Sequence, residues 1–165
     1  MTTQHAQPVP RFSVLRLACV AQPSGLRAVE EVVPKLGAKA GFPALRIGHA
    51  SKYDRPLEHL SGQLDIAPLK LPLRARDGRY GLVLCFSLEE VDPPKLAREL
   101  VRVAHPDGTI WVVVWKKDHL PADMLSWDEA QRVMLTTSWV DNKILSLGDQ
   151  VYAARYVRRR RPAKV

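Results

Sequence analysis

Tyr80-Gly81-Leu82-Val83-Leu84-Cys85-Phe86 and Thr109-Ile110-Trp111-Val112-Val113-Val114-Trp115 are two almost unbroken apolar runs. A strand with one wet face alternates apolar and polar side chains; a strand buried on both faces need not. Both runs therefore read as strands covered on both sides. The segment between them has the marks of a helix. Asp92 suits an N-cap, and Pro93 suits the first helical position, where its missing N–H would be unpaired anyway. Leu96, Leu100, Val103 and Ala104 fall on one stripe, and Pro106-Asp107-Gly108 is expected to end the helix. Strand, helix and strand, with both strands doubly covered, form a parallel unit of a layered α/β domain.

Outward from this unit the pattern continues. Leu26, Val29, Val32, Val33 and Leu36 keep a helical period over 26–36, with Ser24 as cap, Gly37 as stop and Pro34 as an imperfection. Phe42 to His49 reads as a short strand. A helix from Asp54 to Leu60 with Pro56 in its first turn follows, then a brief strand over Leu64 to Leu69. Leu71 to Arg79 is a loop with Asp77-Gly78 as its turn. Beyond the second apolar run, Ser126 caps a helix from Trp127 to Ser138. Trp139–Leu147 and Val151–Arg158 then form a hairpin about Gly148-Asp149-Gln150. The expected fold is α/β and Rossmann-like: a doubly wound, mostly parallel sheet with a C-terminal antiparallel hairpin.

The chain has 165 residues, 46% hydrophobic and 25% charged, which suits one domain with a real core and excludes a disordered or collagenous chain. No apolar run reaches the ~18 residues of a membrane span. Two cysteines, Cys19 and Cys85, cannot make a disulfide scaffold or a four-cysteine zinc site. Of the net charge of +8, residues 151–165 hold +6 through Arg155, Arg158, Arg159, Arg160, Arg161 and Lys164. The basic pI thus describes a tail rather than the fold. Residues 1–22 are expected to be an N-terminal arm or added strand, 23–158 the α/β domain and 159–165 a basic tail. Phe12 to Ala21 admits an export signal ending near Ala18-Cys19, but Arg16 interrupts a stretch already short for one. A segment docked on the core, in a reducing cytoplasm, is favoured.

Ala97-Arg98-Glu99-Leu100-Val101-Arg102-Val103-Ala104-His105-Pro106-Asp107-Gly108-Thr109-Ile110-Trp111-Val112 resembles the helix–Pro-Gly–strand segment of class I S-adenosylmethionine-dependent methyltransferases. More narrowly, the chain is similar to a small uncharacterised bacterial family, a domain of unknown function with a methyltransferase-like fold. Leu36 to Gly41, Trp115-Lys116-Lys117 and Val140-Asp141-Asn142-Lys143 carry that likeness, over roughly residues 25–160 by eye. The chain departs from the family pattern where no proline separates Trp115 from Lys116, and where Val151-Tyr152 replaces Trp-Ser.

The methyltransferase resemblance implies a Gly-rich turn after the first strand, letting backbone approach the cofactor at a helix N-terminus. It also implies a carboxylate at the end of the second strand, for the ribose. The turn here is Gly48-His49-Ala50-Ser51-Lys52-Tyr53, with one glycine and three bulky residues. The second strand has Asp65 at its start and Lys70 at its end. Gly48, His49, Ser51 and Ser87 are the candidate cofactor-binding residues. The turn chemistry is degenerate, so no cofactor is expected, with S-adenosylmethionine as the alternative. Asp92-Pro93-Pro94 echoes part of the motif of amino-group DNA methyltransferases, but Lys95 stands in place of the aromatic that stacks on a flipped base. A helix cap accounts for all three residues.

Ligands of open α/β sheets bind beyond the carboxyl ends of the strands. Glu89, Glu90, Lys116 and Lys117 are expected there beside the turn residues, with Asp141 and Lys143 near it or on the hairpin face. The carboxylates and lysines have acid–base potential, although solvated charges and an ion pair explain them more simply. Asp141 and Lys143, two apart on a strand, are expected on one face as a salt bridge. No catalytic residue stands out. His5, His49, His59, His105 and His119 lack metal-ligand spacing, so no metal is expected. Arg158, Arg159, Arg160 and Arg161 are candidate nucleic-acid contacts, with a solubilising tail as the equal alternative.

Three functions follow as expectations. The first is a methyltransferase-like binding or scaffold protein with a degenerate cofactor loop, not expected to be catalytic. The second is a divergent S-adenosylmethionine-dependent methyltransferase. The third is a nucleic-acid or ribonucleoprotein accessory acting through the tail. A protein partner is the other candidate; a membrane is not expected.

Overall fold

The computed structural model describes residues 23–160. Residues 1–22, with Cys19 and the segment read as an export signal or docked strand, lie outside the described residues, as does Arg161 with the rest of the tail. The elements in chain order are α1 (Val29–Leu36), β1 (Ala44–Ile47), α2 (Asp54–Ser61), β2 (Leu64–Ala67), β3 (Tyr80–Phe86), α3 (Pro93–Val103), β4 (Ala104–Trp115), a 3-10 turn (Lys117–His119), α4 (Trp127–Met134), β5 (Trp139–Ser146) and β6 (Val151–Arg158).

The six strands form one sheet in the order β2-β1-β3-β4-β6-β5. The first four pair in parallel, and β6 runs antiparallel between β4 and β5. This is the expected Rossmann-like sheet with its antiparallel hairpin. The unbroken apolar runs have the cause read from them. Val83, Cys85, Ile110 and Val112 pack on one face with Leu96, Leu100 and Val133 of α3 and α4. Leu82, Leu84, Trp111 and Val113 pack on the other with Val32, Leu36 and Leu57 of α1 and α2. Each fully buried Leu or Val contributes roughly 1.5–3 kcal/mol, so the two layers supply the main stabilisation. Arg102 pins the loop before β3. Its guanidinium donates to both Glu99 carboxylate oxygens at 2.8 and 2.9 Å and to the carbonyls of Leu73 and Ala75 at 3.0 Å. Glu99 also accepts from the Leu73 amide at 2.8 Å.

Several boundaries differ from the sequence expectation for identifiable reasons. α1 begins three residues late because the preceding backbone is claimed by the distant hairpin: Leu26 bridges Gly148 and the Arg27 amide donates to the Leu147 carbonyl at 2.7 Å. Ser24 is not its cap; its amide and hydroxyl donate to Gln150 Oε1. Pro106-Asp107-Gly108 is part of β4, which is already extended at Ala104, paired with Tyr80. Gly108 permits this, since a Cβ there would lie 2.8–2.9 Å from the carbonyl oxygens of Gly81 and Tyr80. α4 stops at Met134, where Thr136 and Thr137 turn their hydroxyls back onto the Val133 and Met134 carbonyls. Ser126 does cap it, accepting from the Glu129 amide at 3.1 Å. Asp92 occupies the cap position of α3 without a side-chain cap bond.

The largest correction is in β5. The ladder with β6 pairs Asp141 with Tyr156 and Lys143 with Arg155, leaving Asn142 as an extra residue. Directly opposed residues share a face, so this bulge puts Asp141 and Lys143 on opposite faces. Asp141 accepts from Gln131 Nε2 at 3.2 Å, and the expected salt bridge with Lys143 does not form.

Candidate functional site

The turn between β1 and α2 stands where a cofactor-binding loop belongs. Gly48 has φ +101°, a left-handed backbone that favours glycine. Its missing side chain makes room for a neighbouring strand: a Cβ would lie 2.9 Å from the Phe86 carbonyl oxygen and 3.0 Å from Phe86 Cβ. Beneath the turn Arg46 is 6% exposed. Its Nε and Nη2 donate to the two carboxylate oxygens of Asp54, the first residue of α2, at 3.0 and 2.7 Å. Its Nη1 donates to the Gly48 carbonyl. A buried guanidinium is tolerable only when so fully partnered, and here the partners are the two ends of the turn.

The rest of the turn also serves the fold. Ala50 and Tyr53 are buried. Tyr53 donates its hydroxyl to the Arg27 carbonyl at 2.7 Å, and Lys52 donates to the Leu26 carbonyl at 2.7 Å. These bonds hold the segment before α1 against the turn. Burial, with the negative charge of Glu31 nearby, pushes the Tyr53 phenol up to about 12. Ser51 is exposed, and its carbonyl accepts from the Asp54 amide at 3.1 Å.

After β3, Ser87 is fully buried: its amide donates to the Val113 carbonyl and its hydroxyl lies 3.2 Å from Cys85 Sγ. Desolvation pushes the Cys85 thiol up to about 12, so it stays protonated and packs as a small apolar group. The Leu88 carbonyl accepts from Trp115 Nε1 at 3.2 Å. Glu89 then reaches across to the β1 turn. His49 Nε2 lies 3.0 Å from Glu89 Oε1, yet that buried oxygen has no hydrogen bond of good geometry. Glu90 is exposed beside it.

The structure therefore brings together Gly48, His49, Ser87 and Glu89, with Ser51 and Glu90 exposed beside them, and engages the other candidates elsewhere. Lys116 is drawn to the hairpin, donating to Ser146 Oγ at 3.1 Å, and Lys117 opens the 3-10 turn. Asp141 and Lys143 belong to the other half of the hairpin, level with Ile110 and Trp111 rather than with the strand ends. Asp65, the only acid of β2, is engaged at the strand's start by Tyr80 at 2.5 Å and Gln63 at 3.1 Å. The Tyr80 bond, followed by that of Gln63, lowers its carboxyl below the usual range.

A cavity of about 1160 Å³ lies at the opposite, amino edge of the sheet. Lys39, Arg155, Arg158, Arg159 and Arg160 line it, and among the described residues Asp107 is its one acidic lining side chain. Thr109 Oγ1 and Arg155 Nε, both from lining residues, are buried without a hydrogen-bond partner. Sequence reasoning gave Arg155 as the first charge of the basic tail and Arg158 to Arg161 as candidate contacts, but missed Lys39 and Thr109, which carry no local signal of a shared site.

Among the described residues no cluster of three His, Cys, Asp or Glu is placed to hold a metal. No protein-family model matches the chain, and neither does any curated protein. Solved structures do match in fold. An S-adenosylmethionine-dependent methyltransferase from Aquifex aeolicus has a TM-score of 0.64 at 18% identity, over 86% of this chain and 96% of that one. A geranyl diphosphate C-methyltransferase from Streptomyces coelicolor has a TM-score of 0.58 at 13% identity, over 79% of each chain. The fold is that of class I methyltransferases.

Proposed function

We propose that this chain is a methyltransferase-like binding or scaffold protein whose cofactor turn has become structural, and that it does not transfer methyl groups. One observation carries the reading: the Cβ space of Gly48 is filled by Phe86. A glycine at a cofactor turn lets a ligand approach the backbone; this one admits the end of β3. The residues do not fit S-adenosylmethionine in the ordinary way. The turn's two ends are tied by Arg46 and Asp54, and Asp65 is held at the wrong end of β2.

A divergent methyltransferase is the second reading, and Glu89 favours it. A buried carboxylate oxygen that makes no hydrogen bond of good geometry, though His49 Nε2 lies 3.0 Å away, is suited to accept from a ligand hydroxyl. Titration calorimetry of the full chain with S-adenosylmethionine separates the two. No heat of binding is expected; micromolar affinity overturns the first reading and promotes the second.

A further inference from the structure

We propose that the basic cavity at the amino edge of the sheet binds the phosphate backbone of a single-stranded nucleic acid, with Arg155 and Thr109 as its recessed anchors. This site does not depend on whether the opposite edge takes a cofactor.

The charge is local and outweighs the one acid there, Asp107. The body of the chain is nearly neutral, yet five basic side chains converge on this cavity, and none of them is in an ion pair among the described residues. Lys143 lies directly opposite Arg155 in the β5–β6 ladder, adding a like charge where cross-strand repulsion is destabilising. A bound anion relieves that repulsion. Arg155 Nε and Thr109 Oγ1, both donors, lie unpaired beneath the cavity wall, closed to solvent as well as to protein acceptors. Arg155 as a whole is only partly buried, so a phosphate meets the outer nitrogens of its guanidinium, and a small opening of the wall would give the two unpaired atoms an acceptor and recover the cost of leaving them without one.

The site is extended as well as charged. Arg155 and Arg159 are four residues apart, on one face by strand alternation and roughly 13 Å apart at ~3.3 Å per residue, while Arg158 ends β6 from the other face and Arg160 follows. That span exceeds one phosphate and suits a chain of them. The anchors are recessed, so a flexible single strand reaches them better than a rigid duplex. Phe42, 38% exposed and edge-on to His105 at 5.5 Å, lines the cavity and offers a ring on which a base can stack.

The test is fluorescence anisotropy of the full chain with a labelled single-stranded oligonucleotide of about 12 nucleotides, within the span of one single-strand site. Binding is expected at about 50 mM salt and should weaken steeply toward 200 mM. Arg155→Gln should weaken it about tenfold, the scale of one charge-assisted hydrogen bond. Replacing Arg158, Arg159 and Arg160 by Gln should flatten the salt dependence by ~0.7 in slope for each phosphate no longer neutralised. These three are exposed at a strand end, so their replacement leaves the fold intact even if Arg155→Gln does not. Replacing Lys95, Arg98 and Arg132 by Gln removes three charges from α3 and α4 and should change little. The proposal is overturned if no oligonucleotide binds, if this helix triple weakens binding as much as the cavity triple, if the matching duplex binds as tightly, or if a mononucleotide competes equally well per phosphate.

Discussion

Replacing Gly48 by alanine combines two costs of different origin, and a second glycine separates them. The φ of +101° strains any L residue, by about 1–2 kcal/mol. The new methyl would also lie 2.9 Å from the Phe86 carbonyl oxygen and 3.0 Å from Phe86 Cβ. Phe86 is buried at the end of a central strand, so neither group can yield easily, and overpacking of this kind costs about 1–3 kcal/mol. Gly37 supplies the control: its φ is +84°, but nothing lies within 4 Å of its Cβ position. Gly37→Ala should therefore carry the backbone cost alone. In urea, with an m-value of about 2 kcal/mol/M, the steric part should lower the Gly48→Ala midpoint by a further ~0.5–1.5 M, at unchanged m. Equal midpoints for the two variants would refute the reasoning. They would mean that Phe86 leaves room beside Gly48 and that the turn can admit a ligand after all.

Two further outcomes follow from the same architecture. Asp54→Asn deprives the buried Arg46 guanidinium of its carboxylate and should cost about 2–4 kcal/mol, with the paired change Arg46→Met and Asp54→Leu recovering much of it in thermal melts; an unaltered melting temperature in Asp54→Asn sinks the lock. Glu99 is held below the usual glutamate range by the Arg102 hydrogen bonds. Its ionised form thus stabilises the fold above the ordinary carboxyl pKa, and that contribution is lost as the pH falls below about 4 through the lowered value. Glu99→Gln should be less stable at neutral pH and show a flatter acid limb; an acid limb as steep as that of the parent chain contradicts this.

The parallel core was legible because β3 and β4 are apolar at almost every position of their runs, a pattern that both-sided burial produces directly. The start of α1 was not, since the hairpin groups that claim Ser24, Leu26 and the Arg27 amide lie more than a hundred residues away. His49, Lys52 and Tyr53 suggest a bulky β1 turn in the sequence, but of these only Tyr53 is buried; the groups packed against the turn, Phe86 and the Arg46–Asp54 pair, emerge only when β3 and α2 are brought against it. Asp141 and Lys143 were misplaced because alternation assumes an unbroken ladder, and one extra residue inverts every face beyond it. The amino-edge cavity was hidden for a related reason: Arg155 and Thr109 belong to different strands, and only the β4–β6 and β5–β6 pairings bring Lys143, Arg155 and Thr109 into one region.

The Asn142 bulge also bears on how this molecule behaves in a crowd. β5 is an outer strand, and an outer strand offers free amides and carbonyls to any passing chain. Here the offer is interrupted midway by an unpaired residue, with Lys143 beside it. At the far flank β2 is only four residues long, too short to template much. Among the described residues, both flanks of the sheet thus present an interrupted or short ladder to a second copy.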